Sequence, residues 1–161
     1  MRGQIWSVDF VVSAIIFFTV LFLVILVWNY TSVQGSEVLA LKNMQSAAMK
    51  TSDALIRTGG LPDDWNGTNV YVIGLADGDN ILNQTKVLRF INTPYSKAKS
   101  LLTGEYDFYF EMLHLNGTVI NESGTNLTTG AVIIDPVVVV PVERYVLYRD
   151  EITRLRLIVW K

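Results

Sequence analysis

The sequence predicts an α+β fold in which a long N-terminal helix continues into a packed helix and is followed by a mainly antiparallel β domain. Three observations predict it: an unbroken apolar run over residues 10–28, helical periodicity over residues 33–57, and short strand-like segments separated by turn residues in the remainder. About 130 of the 161 residues lie beyond the apolar run, which is enough for one hydrophobic core.

The apolar run from Phe10 to Trp28 has the length of a transmembrane helix. Its 19 residues include only two polar side chains, Ser13 and Thr19. A helix of this length is roughly 28 Å long at 1.5 Å per residue, close to the thickness of the bilayer hydrocarbon core. Asp9 immediately precedes the run, at a place where a charge is costly to bury. The sequence therefore predicts a membrane-spanning helix with one acid at its start.

The flanks of this run do not fit a conventional secretory signal. Such a signal has an apolar region of roughly 7–15 residues, followed by small residues at the cleavage site. Here the run is longer, and the large residues Trp28, Asn29 and Tyr30 stand at its end. Cleavage behind the run is not expected, so the plain interpretation is an uncleaved signal anchor. With Arg2 in the short head, residues from about 30 onward are predicted to lie outside the cytoplasm.

Residues 2–28 resemble the class III signal peptide of archaeal type IV pilin-like proteins. The matching features are Arg2-Gly3, Gln4, Ser7, Asp9 and the apolar run. The resemblance implies that a prepilin peptidase cuts between Gly3 and Gln4. It also implies that the apolar segment stays on the mature chain and forms the core of a filament.

The same resemblance implies an assembly role for Asp9, which would pair with the new N-terminal amine of a neighbouring subunit. The family usually has a glutamate as the fifth mature residue, whereas Asp9 is an aspartate and the sixth residue counted from Gln4. The alternative is that Asp9 lies at the level of the lipid headgroups, favoured by the helix dipole. Both interpretations stay open at this point.

By this resemblance the protein is expected to be a structural subunit, a major or minor pilin, of an archaeal type IV pilus-like surface filament, with adhesion among the family's roles. The expected organisation is a leader at 1–3, a transmembrane and polymerisation helix at 4–30, and an extracytoplasmic pilin-like α+β head at 31–161. The expected partners are the membrane, the prepilin peptidase, and copies of the chain or related pilin subunits. The alternative is a non-polymerising single-pass anchor that carries an extracellular binding domain.

Residues 33–57 are predicted to form an amphipathic helix that ends before Gly59-Gly60 and Pro62. Gly35 marks a position for a kink or break. A flexible Gly/Ser/Pro linker, as in an ordinary tethered domain, does not follow the apolar run. A stripe of apolar residues at three- and four-residue spacing is predicted to contact the sheet: Val38, Leu41, Met44, Ala48, Leu55 and Ile56.

The remainder is predicted to be mostly β. Thr93-Pro94 is a helix start, and Ser123–Gly130 is predicted to be a polar loop. Pro136 and Pro141 mark strand ends, bends or an edge. The predicted strands are 69–75, 106–115, 118–120, 145–148 and 152–160, with turns at Asn116-Gly117 and Arg149-Asp150-Glu151. On the last strand Arg154 and Arg156 alternate with leucines, which predicts one buried and one solvated face.

Glycosylation sequons are more frequent than chance predicts. Ten asparagines among 161 residues that include 22 Ser or Thr would give about 1.4 sequons, whereas six occur. Asn29 is the weakest because it stands at the predicted membrane edge, and Asn-Gly pairs are also ordinary turn dipeptides. The candidates for glycosylation are Asn66, Asn83, Asn116, Asn121 and Asn126.

Composition and motifs argue against other function classes. There is no cysteine, so disulfides, thiolate catalysis and zinc–cysteine sites are excluded. The 13 basic residues are scattered and the net charge is −2, which argues against nucleic acid as a partner. No catalytic or nucleotide-binding motif is present, so we predict no enzyme activity, no cofactor and no metal site.

Four weaker features have a structural interpretation that we favour. His114, the single histidine, is predicted to be a surface or cross-strand residue rather than a catalytic one. The run Asp77-Gly78-Asp79-Asn80 resembles part of a calcium loop but lacks the later glutamate, so a plain turn is predicted. Asp63-Asp64 is interpreted as helix-end or turn polarity rather than as a carboxylate pair. The aromatic residues Tyr106, Phe108, Tyr109 and Phe110 are predicted to form core and packing contacts rather than a sugar-stacking surface.

Overall fold

The computed structural model describes the backbone of residues 3–161, and within it the side chains of residues 8–31 and 38–161. The chain divides into two compact units, Met1–Leu41 and Lys42–Lys161. Helices and strands occur as predicted for the α+β class, and the sheet is mostly antiparallel. The elements are α1 Gly3–Arg57, β1 Ala76–Gly78, β2 Ile81–Leu82, α2 Gln84–Ile91, α3 Tyr95–Leu102, β3 Asp107–Leu113, β4 Asn121–Glu122, β5 Thr125–Asn126, β6 Thr128–Gly130, β7 Val139–Tyr148 and β8 Glu151–Trp160.

Helix α1 has 55 residues and its helical backbone includes Gly35, so the break considered at that glycine does not occur. It ends at Arg57, two residues before the predicted Gly59-Gly60 stop. Within the second unit, Met44, Ala48, Leu55 and Ile56 of α1 are buried in the core, as the periodicity predicts.

The buried part of the predicted apolar stripe of α1 is shorter than expected. Val38 is 64% exposed and Leu41 is 38% exposed, so neither residue belongs to the buried core. Burial begins at Met44, three residues after Leu41. Sequence periodicity gives the face of a helix on which apolar residues lie, but the extent of the partner decides how much of that face is covered.

The second unit is built on a six-stranded sheet in the order β1-β2-β7-β8-β3-β6, and only the β2–β7 pair is parallel. The core lies on one face of this sheet. There Phe90 of α2 packs edge-to-face on Phe110, with ring centroids 5.0 Å apart, and Tyr95 of α3 lies 5.4 Å from Phe108. The predicted helix after Thr93 is therefore present as α3, and it covers the aromatic residues of β3.

The C-terminal hairpin was predicted with the correct turn. Arg149 and Asp150 both have positive φ values, 52° and 62°, as a two-residue type I′ loop requires. Strand β7 begins at Val139, six residues earlier than predicted, so Pro141 lies inside it. Because β2 pairs only with Leu147 and Tyr148, the part of β7 that contains Pro141 has β8 as its sole strand partner within the described chain. Pro141 is thus at an edge, where its missing N–H costs no ladder bond.

Residues 69–75 are not a strand, which corrects the prediction from their alternating pattern. They form a loop with one isolated bridge, Leu61–Val72. The loop instead bonds to the end of α1, since Leu75 N donates to the Leu55 carbonyl over 2.9 Å. Gly74 permits this approach: a Cβ there would lie 2.3 Å from the Thr58 carbonyl oxygen. The buried backbone is satisfied by a helix end instead of a neighbouring strand.

The stretch from residue 118 to 130 also differs from the prediction. Residues 118–120 make only a single bridge, Leu113–Val119, although Asn116-Gly117 does form the predicted turn. The predicted polar loop 123–130 contains β5 and β6, and β6 pairs with β3. Positive φ values at Ser123 and Gly124, 51° and 86°, turn the chain between β4 and β5. These strands were not predicted because they are short, polar and at edges, so they lack the apolar alternation that predicts a strand.

Candidate assembly segment and surface sites

The first unit presents one segment that can cross a membrane, Val8–Thr31. It has 24 residues and a mean hydropathy of 3.2, and none of its most apolar window is buried within the described structure. Its threonine hydroxyls are satisfied inside the helix: Thr19 Oγ1 donates to the Ile15 carbonyl over 2.8 Å, and Thr31 Oγ1 donates to the Val27 carbonyl over 2.9 Å. These hydroxyls therefore add little cost in an apolar environment.

Asp9 is the only charged residue in this segment, and it is exposed. Among the side chains that the structure describes, none forms an ion pair with it. Helix α1 has no acidic residue in its first turn, because it begins at Gly3 and Asp9 is its seventh residue. Since the dipole effect fades within the first turn, it does little to stabilise the Asp9 carboxylate.

The predicted processing site lies largely outside the described residues. Met1 and Arg2 are outside them entirely. For Gly3 and Gln4 the structure describes only the helical backbone at the start of α1.

Two of the predicted sequons have the same local structure. Asn66 Oδ1 accepts from Thr68 N over 2.9 Å and from Thr68 Oγ1 over 2.6 Å. Asn116 Oδ1 accepts from Thr118 N over 2.9 Å and from Thr118 Oγ1 over 2.7 Å. Both asparagines are exposed at turns. Each Asn-Gly-Thr sequence therefore forms an Asx turn that its own threonine closes.

The other predicted sequons of the second unit use their carboxamides to hold the fold. Asn83 caps α2 by accepting from Lys86 N, and its Nδ2 donates to Asp77 over 2.7 Å. Asn121 and Asn126 lie opposite each other in β4 and β5, where Asn121 Nδ2 donates to Asn126 Oδ1 over 2.8 Å. Helix α2 was not predicted from the sequence, and the cap at Asn83 is the signal that could have indicated it.

The run Asp77–Asn80 contains the end of β1 and a turn, as the plain interpretation predicts. Its carboxylates face side-chain cations: Lys86 Nζ lies 4.0 Å from Asp77 and 3.0 Å from Asp63, and Arg57 lies 3.5 Å from Asp79. Lys86 is buried. Among the described residues, no group of three or more potential ligands is placed to hold a metal ion.

His114 and the aromatic residues of β3 lie where the structural interpretation expects them. His114 follows β3, is half-buried, and has Nδ1 4.0 Å from Glu151 at the start of β8. Phe108 and Phe110 are fully buried, and Tyr106 packs against the same core. Tyr95 donates to Asp107 over 2.5 Å, and burial together with this bond raises the pKa of Tyr95 to about 12. A bond from Lys99, followed by the one from Tyr95, lowers the pKa of Asp107.

The sequence reading missed a buried carboxylate, Glu122, whose side chain is 5% exposed. It accepts from Tyr148 Oη and Gln84 Nε2, and Arg149 lies 3.5 Å away. Burial, then the bond to Glu122, raises the pKa of Tyr148. This cluster ties β4 to β7 and α2. No local sequence pattern predicts it, because Glu122 is 26 or more residues away from each of its partners in the sequence.

An ionic ladder crosses the other face of the sheet and was also missed. Arg156 lies directly between Glu111 and Glu143 in register, and it bonds them over 2.7 and 2.8 Å. Glu111 is buried although it faces away from the core aromatics. The bond from Arg156, reinforced by the charges of Arg154 and Arg156, lowers the pKa of Glu143.

Replacing Arg156 by methionine should lower the free energy of unfolding and make that free energy depend less on pH. Glu111 would lose its cation, at a cost of about 1–3 kcal/mol. The lowered pKa of Glu143 stabilises the fold above the unfolded value of about 4.3, and this contribution is lost as the pH falls through the folded value. Urea unfolding of the full chain in detergent, repeated from neutral pH to about pH 3, should therefore show a shallower acid decline for Arg156→Met. Lys50→Met, at an exposed position, is the matched control, and equal acid declines in all three proteins would contradict the ladder's role.

Comparison with models of protein families, with curated proteins and with solved structures finds no match to this chain. The site residues therefore have to be interpreted from their own chemistry.

Proposed function

We propose that the protein is a structural subunit, a pilin, of a type IV pilus-like surface filament, inserted and then assembled through α1. The observation that carries the proposal is the unbroken helical backbone from Gly3 to Arg57. One helix contains both the exposed apolar segment and residues that enter the core of the second unit. An ordinary tethered domain would more often have a flexible Gly/Ser/Pro linker after its anchor, whereas a pilin is expected to have one long helix.

The energetics of the apolar segment suit a transfer from lipid to a bundle of copies. Lipid tails and neighbouring apolar helices are equally hydrophobic, so leaving the bilayer loses little hydrophobic free energy. Packing and polar pairing then decide whether copies associate. The exposed side chains of Val8–Thr31 supply the packing surface, and Asp9 supplies the polar group.

Asp9 supports the proposal because a carboxylate without a partner is costly in an apolar environment. An aspartate in the apolar region of a bilayer costs about 3 kcal/mol, and no described side chain of its own chain pairs with it. The amine of Gln4 in a neighbouring processed subunit would neutralise it. Such a buried pair sets the register between copies more than it adds net stability.

Expression with a prepilin peptidase tests the proposal. The mature chain should begin at Gln4 on N-terminal sequencing, and shearing cells without detergent should release it as fibres. A chain that keeps Met1, and that remains monomeric in the membrane, would instead support the alternative of a single-pass anchor for an extracellular domain.

Replacing Gly3 by valine should block processing. A peptidase pocket that accepts glycine before the cut has no room for a β-branched side chain, so we expect at least a tenfold loss of the shortened product, equivalent to about 1.4 kcal/mol. Intact-mass measurement of the membrane fraction gives the readout, and Gly3→Ala is the matched control that should still be cut. Unchanged trimming of Gly3→Val would place the processing site elsewhere.

A further inference from the structure

From the hydrogen bonding of the sequons, we infer that Asn66 and Asn116 are the acceptors of N-linked oligosaccharide in the folded protein and that the other sequons are closed to transfer. The inference shares with the proposed function only the extracytoplasmic location of the second unit, and it does not depend on assembly. Its basis is which carboxamide nitrogens are free to react and which sequons have a buried middle residue.

The reaction needs an accessible Asn Nδ2. This nitrogen attacks the anomeric carbon of an oligosaccharide that is activated as a lipid-linked pyrophosphate. The N–C bond forms, the C–O bond to pyrophosphate breaks with its electron pair leaving on the lipid pyrophosphate, and the amide proton passes to a base of the transferase. A carboxamide that is already donating, or a sequon whose middle residue is buried, has to break native contacts first.

Asn66 and Asn116 meet both conditions. Within the part of the chain that the structure describes, neither Nδ2 has a hydrogen-bond acceptor, while each Oδ1 is held by its own threonine. The middle residues are Gly67 and Gly117, and neither is buried. The φ of +86° at Gly117 shows a tight turn that exposes the asparagine at its corner.

Each of the remaining sequons lacks at least one requirement for transfer, for a different reason. The Nδ2 of Asn83 donates to Asp77 while its Oδ1 caps α2. Asn121 donates to Asn126, and its neighbour Glu122 is buried. Asn126 is followed by Leu127, which is completely buried in the core. Asn29 lies inside the apolar segment Val8–Thr31.

A transfer reaction in vitro tests the inference. The purified full chain in mild detergent is incubated with an oligosaccharyltransferase and a polyprenyl-pyrophosphate oligosaccharide, and glycopeptides are quantified by mass spectrometry. Synthetic peptides that carry each sequon are the unfolded comparison. We expect occupancy at Asn66 and Asn116 at least about tenfold above that at Asn83, Asn121 and Asn126 in the folded chain, because exposing a buried side chain costs at least that factor. The five peptides should differ far less.

Variants make the assignment specific. Asn66→Gln and Asn116→Gln should each lower the intact mass of the product by one oligosaccharide. Thr85→Ala removes the sequon that begins at Asn83 while leaving the Asn83 cap in place, and it should leave the intact mass of the product unchanged apart from the substitution itself. Equal or higher occupancy at Asn83, Asn121 or Asn126 in the folded chain would overturn the inference. So would modification of the Asn66 and Asn116 peptides without modification of the folded chain.

Discussion

We expect that replacing Asp9 by alanine abolishes filament assembly and leaves insertion into the membrane intact. The neighbouring Gln4 amine would then be buried without its counter-charge, at a cost of about 3–5 kcal/mol for each subunit contact. This corresponds to a loss of more than about 100-fold in the equilibrium of each addition step. Insertion depends on the predominantly apolar 24-residue segment Val8–Thr31 and should improve slightly without the acid.

The readouts are the yield of sheared fibres, seen by electron microscopy, and the amount of the chain in the membrane fraction. Asp9→Glu keeps the charge and should assemble, whereas Asp9→Asn keeps the size without the charge and should not. Ser13→Ala, in the same exposed segment, controls for a general effect of substitution. Normal fibres from Asp9→Ala would refute the pairing role.

Replacing Phe108 by alanine should strongly destabilise the second unit. Phe108 is completely buried in β3, where it stacks on Phe90 with ring centroids 6.3 Å apart and also contacts Tyr95. Truncations of this kind cost about 3–5 kcal/mol, and a domain of this size has only about 5–15 kcal/mol in total. Urea unfolding of the full chain in mild detergent, followed by near-ultraviolet circular dichroism, measures the loss.

Tyr71→Ala is the control for this substitution, because Tyr71 is 78% exposed and its replacement should change the free energy of unfolding by no more than about 0.5 kcal/mol. Equal losses from the two variants would mean that the aromatic cluster does not anchor the sheet to α2 and α3.

Prediction from sequence was most successful where a signal is local and strong. The apolar segment, the end of α1 near Gly59, and the β7–β8 hairpin each depend on residues adjacent in the chain. Helix α2 was missed because its eight residues give few turns of periodicity, and its cap at Asn83 was interpreted only as a sequon. Strand 69–75 was wrongly predicted because alternation alone does not supply a pairing partner.

The candidate sites divide in the same way. Asp9 and the sequons are visible as residue types at particular spacings. Whether a carboxamide is free or engaged depends on contacts such as Asn83 with Asp77 and Asn121 with Asn126, which no sequon pattern contains. The position of Asp9 beyond the first turn of α1 likewise became clear only from the structure, in which the helix already includes Gly3.

The sequence by itself determined that this protein has a membrane-length helix with one acid at its start and a separate α+β unit with asparagine-rich turns, because hydrophobicity and turn chemistry are properties of neighbouring residues. Only the tertiary structure decided which asparagines hold the fold, how Arg156 comes to lie between Glu111 and Glu143, and where Glu122 is buried. Those outcomes depend on sheet register, which joins residues such as Glu111 and Arg156, 45 positions apart, and is fixed when the side chains of the core pack together.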